Sequence, residues 1–332
     1  MSIAINGTGT ITGLSVGGLE DGIITPAELS TGAPSWDAQY NLTNIASINN
    51  GPLAGFRNRI INGNFDFWQR GTSTTTTGDT YLADRWVSAF STGGTVSQET
   101  SSLPTGSRYA WKFVASASNS FFQMGQQIEY GNCIDFQNTT VTISFMARAV
   151  TATAGSTALI FRTRTIAGVD GACLFTGTNV NSTFTLTTSW TRYTVTRTLP
   201  ATFGSLSLEF ALEAHVSGDG IMLAQVQIEP GPVATPFEQR PIGTELALCQ
   251  RYYQSQYVHM QAPAAAGMIV PVYFSVPMRA TPNATLLSSG TQFNVISVSI
   301  SSRNFLSAYF QFTGTTANAY VLDRLDAYSA EL

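Results

Sequence analysis

Charge is scarce in this 332-residue chain: Asp, Glu, Lys and Arg make up 11% of it, against roughly a quarter in ordinary globular proteins. Of the 16 basic residues, Lys112 is the one lysine and the rest are arginine. That excludes lysine Schiff bases, lysine nucleophiles and phosphate-binding loops unless Lys112 alone serves. Histidine is limited to His215 and His259, and cysteine to Cys133, Cys173 and Cys249. A catalytic triad or a histidine metal site has almost no material to draw on. Three widely spaced cysteines suit neither a disulfide framework nor a zinc site, and they fit assembly in a reducing cytoplasm. A net charge of −4 supplies no basic field for a polyphosphate backbone, so no nucleic-acid partner is expected. The chain lacks the apolar run of about 18 residues that a spanning helix needs, so no membrane insertion is expected. Its opening residues are polar and Gly-rich, without the apolar stretch of a signal peptide.

What is abundant is Ser and Thr, about 75 residues together, with 29 Gly and a hydrophobic share of 43%. Disordered chains pair low hydrophobicity with high net charge, and this one does neither. The length suggests two or three domains. Residues 1–57 carry apolar groups too few and scattered for a core of their own. Neighbouring copies or a docking partner would have to order them, so they read as an extended Gly-rich anchor and trimerisation segment.

Residues 58–240 read as a β domain. Alternation is strong at Thr140 to Ala147 (TVTISFMA), Thr183 to Thr187 (TFTLT) and Thr191 to Leu199. It returns at Ser205 to Leu212 (SLSLEFAL) and Ile221 to Ile228 (IMLAQVQI), between Gly, Ser, Asn and Asp clusters. A period of two with regular turn signals predicts an all-β, antiparallel jelly-roll sandwich. Residues 241–332 read as a smaller C-terminal β domain. Leu246, Cys249 and Tyr253 at helical spacing after Thr244 predict a short lead-in helix. Strands are expected at 267–276, 291–299, 304–313 and 320–332.

Several strings stand out in order along the chain: NRIINGNFDFWQR (Asn58 to Arg70), YLADRW (Tyr81 to Trp86), QVQIEPG (Gln225 to Gly231) and ATPFEQR (Ala234 to Arg240). ELALCQRYY (Glu245 to Tyr253), VPMRATP (Val276 to Pro282) and a closing AEL follow. This ordered set resembles a family of bacteriophage virion proteins, mainly tail fibres, with a jelly roll similar to carbohydrate-binding modules. GTGTITGLSVGGLEDG and STGAPSWD resemble leader sequences of phage fibre proteins. The resemblance implies a structural, homotrimeric virion protein without enzymatic activity or cofactor. It implies contacts to other virion proteins through residues 1–57 and, as a possible partner, a host surface glycan. It supplies no list of sugar-contacting residues.

Individual residues admit a structural and a functional reading. Phe65, Phe67 and Ile61 are expected to alternate inward on a first sandwich strand, with Trp68 and Arg70 at its end, although Trp68 could instead stack on a sugar ring. Asp84, Arg85 and Trp86 divide the same way, and Asp84 and Arg85 should each pair with something distant. Asp66 and Glu229 could hold a structural calcium ion, and Glu229 with Glu238 could be read as a glycosidase pair. Neither reading is preferred, so no metal and no catalytic residue is expected. Cys249 beside Arg251 reads as a packed core thiol and not as an activated nucleophile.

The expected function is a homotrimeric tail fibre attaching the virion to a host glycan. The alternative is a capsid decoration or head-fibre protein, and composition does not separate the two. A depolymerase would need a long parallel β-helix, and no such repeat is visible. Glycan contacts are expected within 241–332 or at its seam with the jelly roll, where Tyr252, Tyr253, Tyr257, His259, Tyr320 and Tyr328 are the aromatic candidates.

Overall fold

The computed structural model describes residues 56–331 except 76, 91–92, 263–266 and 315–318, together with residues 35–36 and 42–43. The chain divides into two compact units, 1–55 and 56–332. In the first, β1 (Ser35–Trp36) pairs antiparallel with β2 (Leu42–Thr43). The anchoring and trimerising role expected of residues 1–57 otherwise lies outside the described residues.

The second unit opens with β3 (Ser73–Thr74), β4 (Thr80–Tyr81), β5 (Val87–Phe90), β6 (Gly94–Glu99), β7 (Ala110–Ala115) and β8 (Asn119–Ile128). Then come β9 (Thr140–Ala149), the single turn α1 (Ala154–Thr157), β10 (Ala158–Ile166), β11 (Thr178–Thr185), β12 (Thr191–Thr198), β13 (Ser205–His215) and β14 (Gly220–Pro230). They build two six-stranded antiparallel sheets, in the orders β11-β10-β13-β8-β5-β4 and β12-β9-β14-β7-β6-β3. The sheets enclose one core as a jelly-roll sandwich. Alternation explains it residue by residue. Val141, Ile143, Phe145 and Ala147 of β9 face Leu206, Leu208, Phe210 and Leu212 of β13 across the core. Thr140 and Thr142 point outward, where their hydroxyls meet Thr198 and Thr196 of β12 at 3.3 and 3.4 Å. Such cross-strand hydroxyl pairs are what a Thr-rich outer face offers a sheet, and Thr142 is covered there by the connection after β14. Phe113 and Phe122 stack at 4.0 Å and Phe145 meets Phe210 edge-on at 4.9 Å; each buried ring stabilises the fold by about 2–3 kcal/mol.

The chain then passes through α2 (Ile242–Gln250) into seven strands: β15 (Tyr253–Ala262), β16 (Gly267–Tyr273), β17 (Asn283–Ser288), β18 (Thr291–Phe293), β19 (Val295–Arg303), β20 (Ser307–Gly314) and β21 (Ala319–Ser329). Strand β21 lies between β15 and β17 and also pairs with β18, while β16-β20-β19 form a separate three-stranded sheet. Val258, Met260, Phe310, Phe312, Val321 and Tyr328 fill the space between them.

Three local expectations need correction. Residues 58–70 are not a strand, because Asn62 and Phe65 adopt positive φ angles of 56° and 55° and a turn closes from Phe65 N to Asn62 O at 3.0 Å. Phe65 still enters the core, but Ile61 packs with Cys249 and Tyr252 in a separate cluster beside Phe67. The helix begins at Ile242 with Pro241 at its N-cap and not Thr244. The expected strand 291–299 breaks at Asn294, whose φ of 53° separates β18 from β19.

Candidate functional site

The ordered strings meet at one place, the seam where the sandwich touches α2 and β15. Asn62 is its hub. Its amide donates to Phe67 O at 2.9 Å and Asp84 O at 3.0 Å, and accepts from Phe67 N at 3.0 Å. Its carbonyl accepts from the Trp86 indole at 3.0 Å, and its N–H donates to Glu245. Glu245 also pairs with Arg240 at 3.0 Å, and Arg240 donates to Ile60 O at 2.9 Å.

Arg85, buried and with a φ of 72°, lies 3.6 Å above the Tyr252 ring. It pairs with Glu331 and donates to Gln127 O at 2.6 Å. Burial opposes its charge most strongly, but Glu331, Tyr252 and Tyr81 together outweigh it and raise its pKa. Arg70 lies 3.8 Å above Tyr253 and 2.8 Å from the same Glu331. Asp84 accepts from the Gln69 side chain at 2.6 Å, and burial pushes its pKa up to about 6. The distant partners expected for Asp84 and Arg85 are therefore Gln69 with Arg70, and Glu331. Trp68 donates to Phe65 O at 2.6 Å and packs on the core. These side chains are spent on one another, and the seam is a clamp.

The acidic candidates do not assemble. Glu229 is fully buried and accepts from Thr235 N at 2.8 Å, Thr235 Oγ1 at 2.6 Å and Gln227 Nε2 at 2.8 Å. It pins the Pro-rich connection to the outer face of β14 and offers nothing to a water or a metal. Glu238 accepts from Asn58 N at 2.8 Å. Asp66, raised by burial, shares with Glu238 and Glu245 a cavity of about 10 Å³, at the lower limit for one water molecule. Among the described residues no three His, Cys, Asp or Glu side chains converge as metal ligands. Cys249 is buried, and burial holds its thiol well above the usual range.

The aromatic candidates separate into two groups. Tyr252 and Tyr253 lie under the seam arginines, and Tyr328 is core, in contact with Phe274 at 4.9 Å. Tyr257 and His259 are exposed. Regular alternation along β15 keeps Tyr257, His259 and Gln261 outward while Val258 and Met260 stay buried, and the register shift opposite Val258/Met260 takes its extra residue from β21. Gln261 pairs across the sheet with Tyr320, and Tyr320 pairs with Phe293. The Tyr320 and Phe293 rings stack at 5.4 Å, 18° from parallel. His259, Met260, Gln261 and Tyr320 line an open cavity of about 300 Å³. Sequence reasoning missed Gln261 and Phe293, because only the sheet register joins them to Tyr320.

No family model matches the chain, and no curated protein matches it. Solved structures do. The enzymatically active domain of tailspike protein 4 from bacteriophage CBA120 is 12% identical, with a TM-score of 0.38, over 52% of this chain and 21% of that one. The chain thus spans about a fifth of that tailspike. The TmCBM61 module in complex with β-1,4-galactotriose is 14% identical at a TM-score of 0.34, over 53% of this chain and all of the module. The C-terminal family 22 carbohydrate-binding module of Clostridium thermocellum Xyn10B is 8% identical at 0.36, over 57% of this chain and 99% of that one.

Proposed function

We propose that this chain is a bacteriophage virion structural protein, a homotrimeric tail fibre that holds a host-surface glycan without cleaving it. The observation that carries the reading is the outward row Gln261, Tyr320 and Phe293 beside the cavity at His259. A sugar ring presents a flat apolar face edged by hydroxyls. Stacked rings receive that face, and an amide with donors and an acceptor receives the edge. Gln261, Tyr320 and Phe293 are themselves uncharged, which suits a neutral saccharide.

Residues 1–57 dock to other virion proteins and hold three copies together. Residues 58–240 and 241–332 are the two β domains they project, the second outermost. One such site is weak, and three repeated about an axis gain avidity through effective concentration. A glycan array with the intact chain, followed by calorimetry on any hit, tests this. Tyr320→Ala and Gln261→Ala should each weaken binding at least tenfold, and undiminished binding by the double variant would refute the site. A silent array, together with virion copy numbers typical of a shell decoration, would instead support the capsid-surface role.

A further inference from the structure

We propose that the jelly roll carries a second ligand site, a mouth between its edge strands β11 and β12 that takes one ring of a neutral saccharide. It shares no residue with the outward row of Gln261, Tyr320 and Phe293. Its origin is visible strand by strand. Leu159 and Phe161 of β10 fill the core, but the next inward positions are Thr163 and Thr165. On β11 the partners of these four are Phe184, Ser182, Val180 and Thr178. Phe184 packs on the core, whereas Val180, at an inward position, is 52% exposed. On β12, Tyr193 and Val195 pack on the core, and Arg197 follows them, donating to Ser182 Oγ at 2.6 Å. Small and polar side chains thus stand where interdigitating hydrophobes would seal the two sheets together. The edge stays open. A cavity of about 350 Å³ lies there, between the ends of β10 and β11 and the connection 199–204.

The walls of this mouth are fixed before any ligand arrives. Gly204 N donates to Ile166 O at 2.6 Å, Asn138 N to Pro200 O at 3.0 Å, and the Gln137 side chain to Phe203 O at 2.8 Å. Arg164, paired with Glu209 at 2.7 Å, donates to the carbonyls of Thr176 at 3.2 Å and Gly177 at 3.4 Å. A wall held in this way spares a ligand the cost of ordering it. The polar groups of the lining are also unspent. Thr140, Thr142 and Thr151 bond to neighbouring threonines, but the hydroxyls of Thr165, Thr178 and Thr202 make no hydrogen bond to another described residue. Ile166 and Pro200 supply the apolar side of the lining, over the buried Phe203. The volume falls within the roughly 300–1,000 Å³ of small-molecule sites. No lining residue is charged, so an ionic ligand gains no counter-charge, and a purely apolar one would leave three hydroxyls unpaired. A sugar ring meets both conditions, laying its C–H face on Ile166 and Pro200 and its hydroxyl edge on the threonines.

The test is saturation-transfer NMR on the intact chain, with lactose, maltose and N-acetylglucosamine as probes. It is run on wild type and on the double variant Gln261→Ala, Tyr320→Ala, which leaves the mouth untouched, so the two sites are read apart. At least one probe should give a saturable signal in the double variant. Adding Thr178→Trp, which fills the mouth from an exposed position, should abolish that signal. Thr202→Val, which deletes one hydroxyl at nearly constant volume, should weaken it about fivefold. If Thr178→Trp lowers the thermal midpoint, Thr202→Val decides. Undiminished binding in either mouth variant overturns the site, and so does silence from all three probes in wild type. A signal present in wild type and absent from the Gln261→Ala, Tyr320→Ala chain assigns binding to the outward row and overturns the mouth alone.

Discussion

At the scale of single residues, Asn62 does more than any other position to hold the seam. Three hydrogen bonds to its amide are lost in Asn62→Ala, and alanine also tolerates the φ of 56° poorly. At about 1 kcal/mol per buried bond, urea unfolding should show a loss of about 3 kcal/mol. Asn62→Gly, which accepts that φ but has no amide, should recover only a fraction of it. His215 sets an acid limit. It is buried edge-on to Phe113 with neither ring nitrogen hydrogen-bonded, and burial lowers its pKa although Asp219 works the other way. The unfolded chain takes up that proton first, so stability falls as pH drops below about 6.5. Asp84 acts oppositely: with a folded pKa near 6, its ionisation is a cost above that pH which is relieved as pH falls toward 4. The difference between wild type and His215→Leu in urea midpoint, followed from pH 7.5 to 5.5, isolates the imidazole and should shrink toward acid. The thiols give a third readout. Burial pushes Cys133 to about 12 and Cys173 to about 11, so the native chain should resist dithionitrobenzoate at pH 8. The three free cysteines should react once urea unfolds it.

At the scale of elements, β9, β12, β13 and β14 are legible because their partners lie in the same core and their alternation is unbroken. Residues 58–70 are not legible as an irregular segment. Ile61, Phe65 and Phe67 alternate like a strand, while Asn62 and Phe65 take a left-handed backbone that depends on tertiary partners. What fixes this segment is a close approach to β14. The bulge between Ala224 and Gln227 lets Val226 N donate to Gly63 O at 2.8 Å. A Cβ on Gly63 would lie 2.2 Å from the Val226 carbonyl oxygen. Both sides are backbone, so neither yields cheaply, and Gly63→Ala should lose about 2–4 kcal/mol, seen as a lower thermal midpoint. Strand β15 owes its form to a different cause. Its sequence YQSQYVHMQA has little β-branched character, and pairing to β21 makes it a strand. Propensity is overridden there by a partner some seventy residues away.

At the scale of the whole molecule, the outward row was out of reach of sequence because Gln261, Phe293 and Tyr320 become neighbours only through β21. His259 and Tyr320 were legible as aromatic candidates; Gln261 and Phe293 were not. The ordered strings were visible too, but their shared purpose is spatial. They make one clamp, closed by Glu331 from the far end of the described chain. The Arg85 and Glu331 side chains are 2% and 8% exposed, and removing one member of such a buried pair costs about 3–5 kcal/mol. Glu331→Ala should therefore split calorimetric unfolding into two transitions, the sheets beyond α2 melting first. A single shifted transition would show that the clamp does not couple the two parts.

The small sheets are entered at Tyr253 and left at Ser329, and these two residues are paired neighbours in one antiparallel ladder. The whole excursion between them begins and ends within about 5 Å, with Ala330 N returning to Tyr252 O at 2.8 Å. In architectural terms this is a cassette. Another β excursion whose ends lie equally close could be exchanged at this point, while Arg85, Tyr252 and Glu331 stay in place to receive it. Recombination at two codons' distance from the clamp would then replace the small sheets and leave their mounting intact.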